Sequence, residues 1–411
     1  MQAYDWIVIG GGITGAALSY ELARQGLQVL LLEQHATLQG ATRFSYGGLA
    51  YWAGTTAMTR QLCQEGIERH RTLSAELDAD TQFRELDLLL TIAADQEPEI
   101  VATSYSHYAI APRLLSIQEA CHLEPLLNKN AIAGALSVRH GHINPALTVQ
   151  GFCQALHRLG GERQIAQVLE FLSSESRIFG VKTTQGIYIA ANVVVCAGGL
   201  SRTLLKTAGI AVPLYFTHAE LLETPRVDVQ LRTLVMPAVT QRFQLESQAS
   251  SLEADRWSDP AEIPPQESSP LPNQPQELVG SSILDAGAIQ FKDGSLRLGQ
   301  ISRLLSQPQV SIDPGQSEAM LRHQVAHVLP ALGNLPSTWH HCLVAFSPDH
   351  LPLIGGLTAM AGLYMFSGFS NPLIIVPSLA RRFARLAVGQ EDEVIAQLSP
   401  ARFTSKDEKL N

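Results

Sequence analysis

Hydrophobic and polar positions in this chain follow two different periods, and the change of period marks the elements. Tyr4-Asp5-Trp6-Ile7-Val8-Ile9 is mostly apolar with little alternation, the pattern of a strand covered on both faces. Gly10 to Gly15 interrupts it. From Ala16 to Gln25 the apolar residues Leu18, Leu22 and Ala23 fall at helical spacing, which predicts a helix closed by Gly26. Val29-Leu30-Leu31-Leu32 predicts a second buried strand that ends at Glu33.

Farther along, the pattern predicts a helix over about Thr56 to Leu77, a strand over Leu86 to Ala93 and a short helix opening at Ser116. His140-Gly141-His142-Ile143-Asn144-Pro145 reads as a turn before a helix from Ala146 to Leu159, stopped by Gly160 and Gly161. Gln164 to Phe171, Ile178 to Thr183 and Gly186 to Ala190 read as strands of a small antiparallel layer. Val193 onward is a buried strand running into a turn at Gly198 and Gly199. Ala288–Phe291 and Leu296–Gly299 flank Asp293-Gly294, a hairpin signal. Cys342 to Phe346 leads into Ser347-Pro348-Asp349, and Gly362 to Ser367 is a further strand. A helix from Pro372 to Ala387 follows, with Asn371 expected as its N-cap.

Composition adds boundaries. A length of 411 residues exceeds one ordinary core, so two domains are expected, with 45% hydrophobic residues to fill them. Between Glu246 and Glu277 the chain turns to Ser, Pro, Glu and Gln, with Pro264, Pro265, Pro270, Pro272 and Pro275 close together. A flexible surface insertion (246–277) is the expectation there, ahead of a partner-binding segment. The net charge of −9 and the lack of a Lys/Arg cluster argue against nucleic acid or an anionic membrane as partner. No apolar run reaches the length of a membrane span. The chain enters its first strand at once, and its five cysteines are odd in number and unpatterned, so a reducing, cytoplasmic setting without a signal peptide is expected.

Strand, glycine turn, helix, strand and acid, in that order, make a dinucleotide-binding unit. Gly10 permits the tight turn, Gly12 lets a pyrophosphate approach the backbone, and Gly15 lets the helix pack on the strand. Ile13 and Thr14 lie in the turn ahead of the helix, whose free N–H groups and partial positive charge suit phosphates. Glu33, eighteen residues after Gly15, is placed to accept the hydroxyls of a ribose and to repel a 2′-phosphate, with Gln34 beside it. A glycine turn in some other strand–helix unit is the competing reading. The small, hydroxylated stretch Gly40 to Leu49 is suited to lying against a flat or phosphorylated ligand. His140, His142, His218 and His350 lack metal-ligand spacing, so no metal is expected.

Together these residues resemble the D-amino-acid oxidase, glycine oxidase and sarcosine oxidase family of FAD enzymes, over nearly the whole chain except the Pro-rich insertion. Thr42 to Gly48 is similar to the family loop Ser-x-x-Asn-x-Gly-Gly, with Thr42 and Ser45 in the polar positions, Arg43 between them, and Gly47 and Gly48 as the pair. Leu123-Glu124-Pro125 and Gly141 to Pro145 resemble its two proline landmarks. Val168 to Phe171 is similar to the strand whose valine backbone holds the adenine. Cys196-Ala197-Gly198-Gly199 and Ser347 to Gly355 complete the likeness.

The resemblance implies an α/β protein: a Rossmann-like FAD-binding domain (1–55, 140–215 and 336–395) interleaved with a substrate domain (56–139 and 216–335) on a mixed, largely antiparallel β-sheet. It implies FAD as cofactor and oxidation of the C–N bond of a small amine or amino acid. Hydride would pass to the flavin, and O2 or another acceptor would remove the electrons. Gly368, Ser370 and Asn371 would precede a helix whose dipole is aimed at the N1–C2=O2 edge of the ring.

The same likeness gives three residues a role, each with an ordinary alternative. Cys342, seven residues before Asp349, matches the cysteine that carries FAD as a thioether in sarcosine oxidase; the alternative is a small core cysteine. Arg297 in Leu-Arg-Leu-Gly resembles the Leu-Lys-Leu-Gly whose lysine helps activate O2; the alternative is a solvated strand arginine. His218 lies in a stretch near the family's substrate cavity, although a satisfied strand histidine is the favoured reading. Three departures concern the substrate. Val344 and Leu373–Val376 stand where amino-acid enzymes carry an Arg or Lys, and the turn Gly368–Asn371 looks one residue short. Arg43, Arg60, Arg242 and Arg303 are candidate replacements. The competing functions are a dehydrogenase passing electrons to a quinone or carrier protein, and a binding module with structural FAD.

Overall fold

The computed structural model describes residues 3–238, 282–304 and 312–403. The 246–277 segment expected to be a flexible insertion lies outside them, as does Arg242. Two sheets carry the architecture. The first orders its strands Leu353–Gly356, Leu363–Ser367, Gly186–Val195, Ala3–Ile9, Val29–Glu33 and Glu162–Ile165 in space. Ala3–Ile9 runs parallel to both its neighbours, with Ile7 between Val193 and Leu30. That strand is covered on both sides, which is why it is apolar nearly throughout. Val168–Ser174 and Arg177–Thr183 add an antiparallel meander to the start of Gly186–Val195. The sequence divides that last strand in two. In the structure it is continuous, antiparallel to the meander at one end and parallel to Ala3–Ile9 along most of its length.

Helices Ile13–Arg24, Pro145–Arg158 and Pro372–Ala387 cover one face of this sheet, and Leu18, Leu22, Phe152, Ile374 and Phe383 share one core there. The last helix contains Pro377, which has no N–H to give to the carbonyl of Leu373 one turn back. His70 closes that gap: its Nε2–H donates to Leu373 O at 2.7 Å, in the core. Burial holds the imidazole pKa down at about 4, so the ring is neutral. Helix Ala57–Glu76, which carries His70, approaches so closely that a Cβ on Gly66 would lie 2.0 Å from Ile374 O.

The second sheet runs Thr338–Phe346, Tyr215–Glu223, Leu296–Leu304, Ser282–Gln290, Leu234–Pro237, Arg84–Ala93, Ile132–His142 and Gly48–Leu49. Helix Pro314–Val328 covers its outer face through Leu321 and Val325.

Three segments fall elsewhere than their residue numbers alone led us to expect. Thr338–Phe346, grouped by sequence with the first sheet (336–395), pairs along its whole length with Tyr215–Glu223 in the second. Helix Ala57–Glu76, grouped with the substrate domain (56–139), buries Leu62, Ile67 and Leu73 in the core of the first. The 140–142 stretch, read as a turn, is the end of strand Ile132–His142. Its Gly141 is there because a Cβ would meet Leu49 Cβ at 2.9 Å. Asn144 follows and caps the next helix by accepting from the N–H groups of Ala146 and Leu147.

Candidate functional site

The glycine turn after the first strand is built from backbone. Gly10 has φ +106°, and a Cβ there would lie 2.7 Å from Cys196 O. On Gly15 a Cβ would lie 1.8 Å from Gly10 O, so this residue sets the closeness of helix and turn. At the helix N-terminus, Ile13 N–H donates to Thr42 Oγ1 at 3.1 Å, and Thr14 Oγ1 donates to Cys196 O at 3.2 Å. Glu33 is held at both oxygens, by Gly11 N–H at 2.6 Å and His35 N–H at 3.0 Å.

These groups border a cavity of about 580 Å³. Gly10, Gly12 and Thr14 line it together with Glu33, Gln34 and Val168. Thr42, Ala197 and Gly198 also line it, as does Leu343 on the edge strand of the second sheet. A cavity lined by a helix N-terminus and an acid fits a dinucleotide whose ribose meets Glu33 and whose pyrophosphate meets the turn.

Beyond Thr42 the site changes character. The helix Gly40–Phe44 leads into Ser45-Tyr46-Gly47-Gly48, which lies against the inward face of the second sheet. Gly47 has φ +75°, and a Cβ on it would meet Ile143 O at 2.2 Å; one on Gly48 would meet His140 Nε2 at 2.6 Å. His140 and His142 are both buried, and burial pushes each imidazole pKa down to about 3. Trp52 Nε1–H donates to His140 Nδ1 at 3.0 Å, which places the His140 proton on Nε2, beside Gly48.

Strand register decides which side chains meet this loop. Glu223 pairs with Arg297 and Thr338, Leu221 with His340, and Ala219 with Cys342, so this set shares the inward face. Arg43 donates to both oxygens of Glu223 at 2.8 Å, with Arg297 3.6 Å and His340 3.5 Å from the same carboxylate. Phe44 stacks on His340 with ring centres 4.7 Å apart. Arg297 is 5% exposed, lies over the Phe291 ring at 4.4 Å and donates to Ser45 O. Burial lowers its pKa to about 10, against the opposing pull of Glu223, so it stays charged at neutral pH. Burial alone would raise the Glu223 carboxyl, but its arginine partners hold it below the usual range. Two buried donors beside each other have no partner: Arg297 Nε and the Tyr46 hydroxyl.

His218 is on the other face. Its Nε2 is 2.9 Å from His341 Nδ1, and its neighbours are Glu220 and Arg303, which reach Ser317 on the outer helix. The structure therefore does not bring His218 to the loop that Arg297 contacts. Of the arginines offered as replacements, Arg43 is forked to Glu223, Arg60 donates to Gly54 O and His107 O, and Arg303 is paired with Glu220. Asn371 precedes Pro372 as expected but makes no side-chain capping bond. Gly368 turns at φ +79°, and Ser370 Oγ donates to His350 O at 3.0 Å. Asp349 binds a turn, accepting from Ser347 Oγ, Leu351 N–H and Arg402. Cys342 is buried two residues from His340 on the inward face. Among the described residues no His/Cys/Asp/Glu cluster suits a metal ion.

Sequence reasoning passed over Glu223, Tyr46 and Phe44. Tyr46 sits inside the quoted loop, where an aromatic hydroxyl between Ser45 and Gly47 was a signal. Glu223 offered none.

Comparison with known proteins agrees with this geometry. A family model described as FAD dependent oxidoreductase matches residues 5–386. The chain is 24% identical over 391 residues to 4-methylaminobutanoate oxidase (formaldehyde-forming) of Paenarthrobacter nicotinovorans, covering 93% of the chain but only 43% of that relative. It is 25% identical over 420 residues to an uncharacterised oxidoreductase of Bacillus subtilis, covering 96% of this chain and 97% of that one. Among solved structures, glycine oxidase from Geobacillus kaustophilus superposes with a TM-score of 0.77 at 20% identity, covering 98% and 99% of the two chains.

Proposed function

Because the chain belongs to the family of FAD-dependent oxidoreductases, we propose that it oxidises the C–N bond of a small amine or amino acid and passes the electrons to O2. The observation that carries this reading is the pair of buried, partnerless donors, Arg297 Nε and the Tyr46 hydroxyl, beside the Ser45–Gly48 turn. Buried donors without acceptors are costly unless a ligand completes them.

The residues present fit FAD. Glu33 would hold the ribose, the turn at Gly10 to Gly15 the pyrophosphate and Val168 the adenine, and the flat ring would lie beside the Ser45–Gly48 turn, which packs closely on His140 and Ile143. Bound FAD supplies the hydride acceptor. The chain's own side chains position the substrate over it and exclude water. Tyr46 and Arg297 donate to the substrate, and Arg297, always charged, offsets the negative charge that develops as electrons pass to O2. The 4-methylaminobutanoate oxidase likeness supports an N-methylated amine among the substrates.

Cys342 carries the FAD covalently in this reading. Its place on the inward face, two residues from His340, supports the assignment. Acid-precipitated protein stays yellow, and Cys342→Ser releases its flavin into the supernatant; wild-type flavin found wholly in the supernatant leaves Cys342 as a core residue.

An anaerobic screen of amines and amino acids tests the reaction. Bleaching of the flavin by one of them, followed by recovery in air, is the expected result. Bleaching with recovery only on adding a quinone assigns a dehydrogenase instead. No bleaching by any of them refutes C–N oxidation.

A further inference from the structure

The two layers of the site meet at one carboxylate. Glu223 stands at the end of strand Tyr215–Glu223, Arg43 on the helix leading into the loop, and Arg297 on the neighbouring strand. Two guanidinium groups of like charge are held side by side by a single shared counter-ion, which His340 also approaches. Removing the carboxylate would leave the guanidinium groups repelling one another beside the turn. Replacing Arg43 would leave Glu223 and Arg297 as a neutral pair.

We propose that Glu223 is a positioning residue that sets the reduction potential of the bound flavin, by fixing Arg43 and Arg297 in place and cancelling part of their charge. This rests on the placement of the ring beside Ser45–Gly48 given above. The oxidised ring takes two electrons and one proton to become an anion. Positive charge nearby stabilises that anion and raises the potential, and a carboxylate opposes it. Glu223 therefore keeps the potential lower than the two arginines alone would set it.

The test is the potential of FAD-loaded protein, measured anaerobically against a reference dye. One unit charge acting over about 10 Å at an effective dielectric near 20 changes the reduction equilibrium about tenfold. That is about 30 mV for a two-electron couple. Glu223→Gln raises the potential by this amount, and Glu223→Asp stays near wild type. Arg43→Gln lowers it, and the double variant Glu223→Gln/Arg43→Gln returns toward wild type because the net charge is restored. A purely structural role gives no such opposed signs. Shifts in the same direction, or no shift, overturn the proposal. If Glu223→Gln fails to hold FAD, Arg43→Gln and the double variant still decide. Failure of every amine to reduce the flavin, with the signed pattern intact, refutes the proposed reaction and leaves the role of Glu223 standing. Amine reduction without the pattern does the reverse.

Discussion

The two ends of the site are made differently. At the nucleotide end, Gly10 to Glu33 supplies the turn, the helix and the acid from one short run of chain, and the interactions come mainly from backbone. At the loop end, Arg43, Glu223, Arg297 and His340 arrive from four separate elements and meet through side chains. Backbone sites depend on close approach and tolerate no added atoms. Side-chain sites depend on charge and register, and single residues in them can be exchanged without loss of the fold.

That contrast can be broken most sharply at Gly15. A Cβ there would lie 1.8 Å from Gly10 O, so Gly15→Ala abolishes FAD binding; yellow, folded protein from this variant would show the turn to be adaptable. At the other end, Arg297→Met retains FAD but reduces the turnover rate by about a hundredfold, the usual cost of removing one donor aimed at developing charge. Loss of the cofactor from that variant would place the loop end in binding and not in turnover.

A pH titration sharpens the comparison at the support of the loop. His140 and His142 are buried and neutral, with pKa values pushed down to about 3. Between pH 3 and 6.5 the unfolded chain binds more protons at these positions than the folded protein, so stability is complete above pH 6.5 and falls below it. Each histidine contributes about 1.4 kcal/mol per pH unit in that window. The melting temperature should decline from pH 6.5 to 5, well above the range in which Glu220, Glu223 and Asp349 titrate. A flat profile would mean the rings are solvated. The smallest effect is expected from Thr42→Val, which removes the acceptor of Ile13 N–H. FAD affinity falls a few-fold, matching about 1 kcal/mol for one hydrogen bond.

The same contrast explains what was legible in the sequence. The glycine turn could be read because its physics is local: φ and close approach demand glycine, and the spacing follows. Glu223 could not, because its role appears only when three strands take their register, past an irregularity at Glu220/Leu221. The placement of His218 on the face away from that loop was hidden for the same reason, since a shift of one residue moves a side chain to the opposite face. Gly141 misled in another way: it reads as a turn former but serves as space for Leu49. Helix Ala57–Glu76 was found, but not its partner, because the bond from His70 to Leu373 O joins residues far apart in sequence.

Strand Ala3–Ile9 has one neighbour close in sequence and another, Gly186–Val195, that pairs Ala3 with Ile189. On a ribosome adding about 5–20 residues per second, the first strand leaves the exit tunnel on the order of ten seconds before that partner. Until then Val29–Glu33 is its only sheet neighbour, and its second edge is exposed and apolar. The birth of this protein therefore includes an interval in which the central strand of its first sheet is its most vulnerable one, and in which a chaperone or slow synthesis through residues 34–185 would have its largest influence on yield.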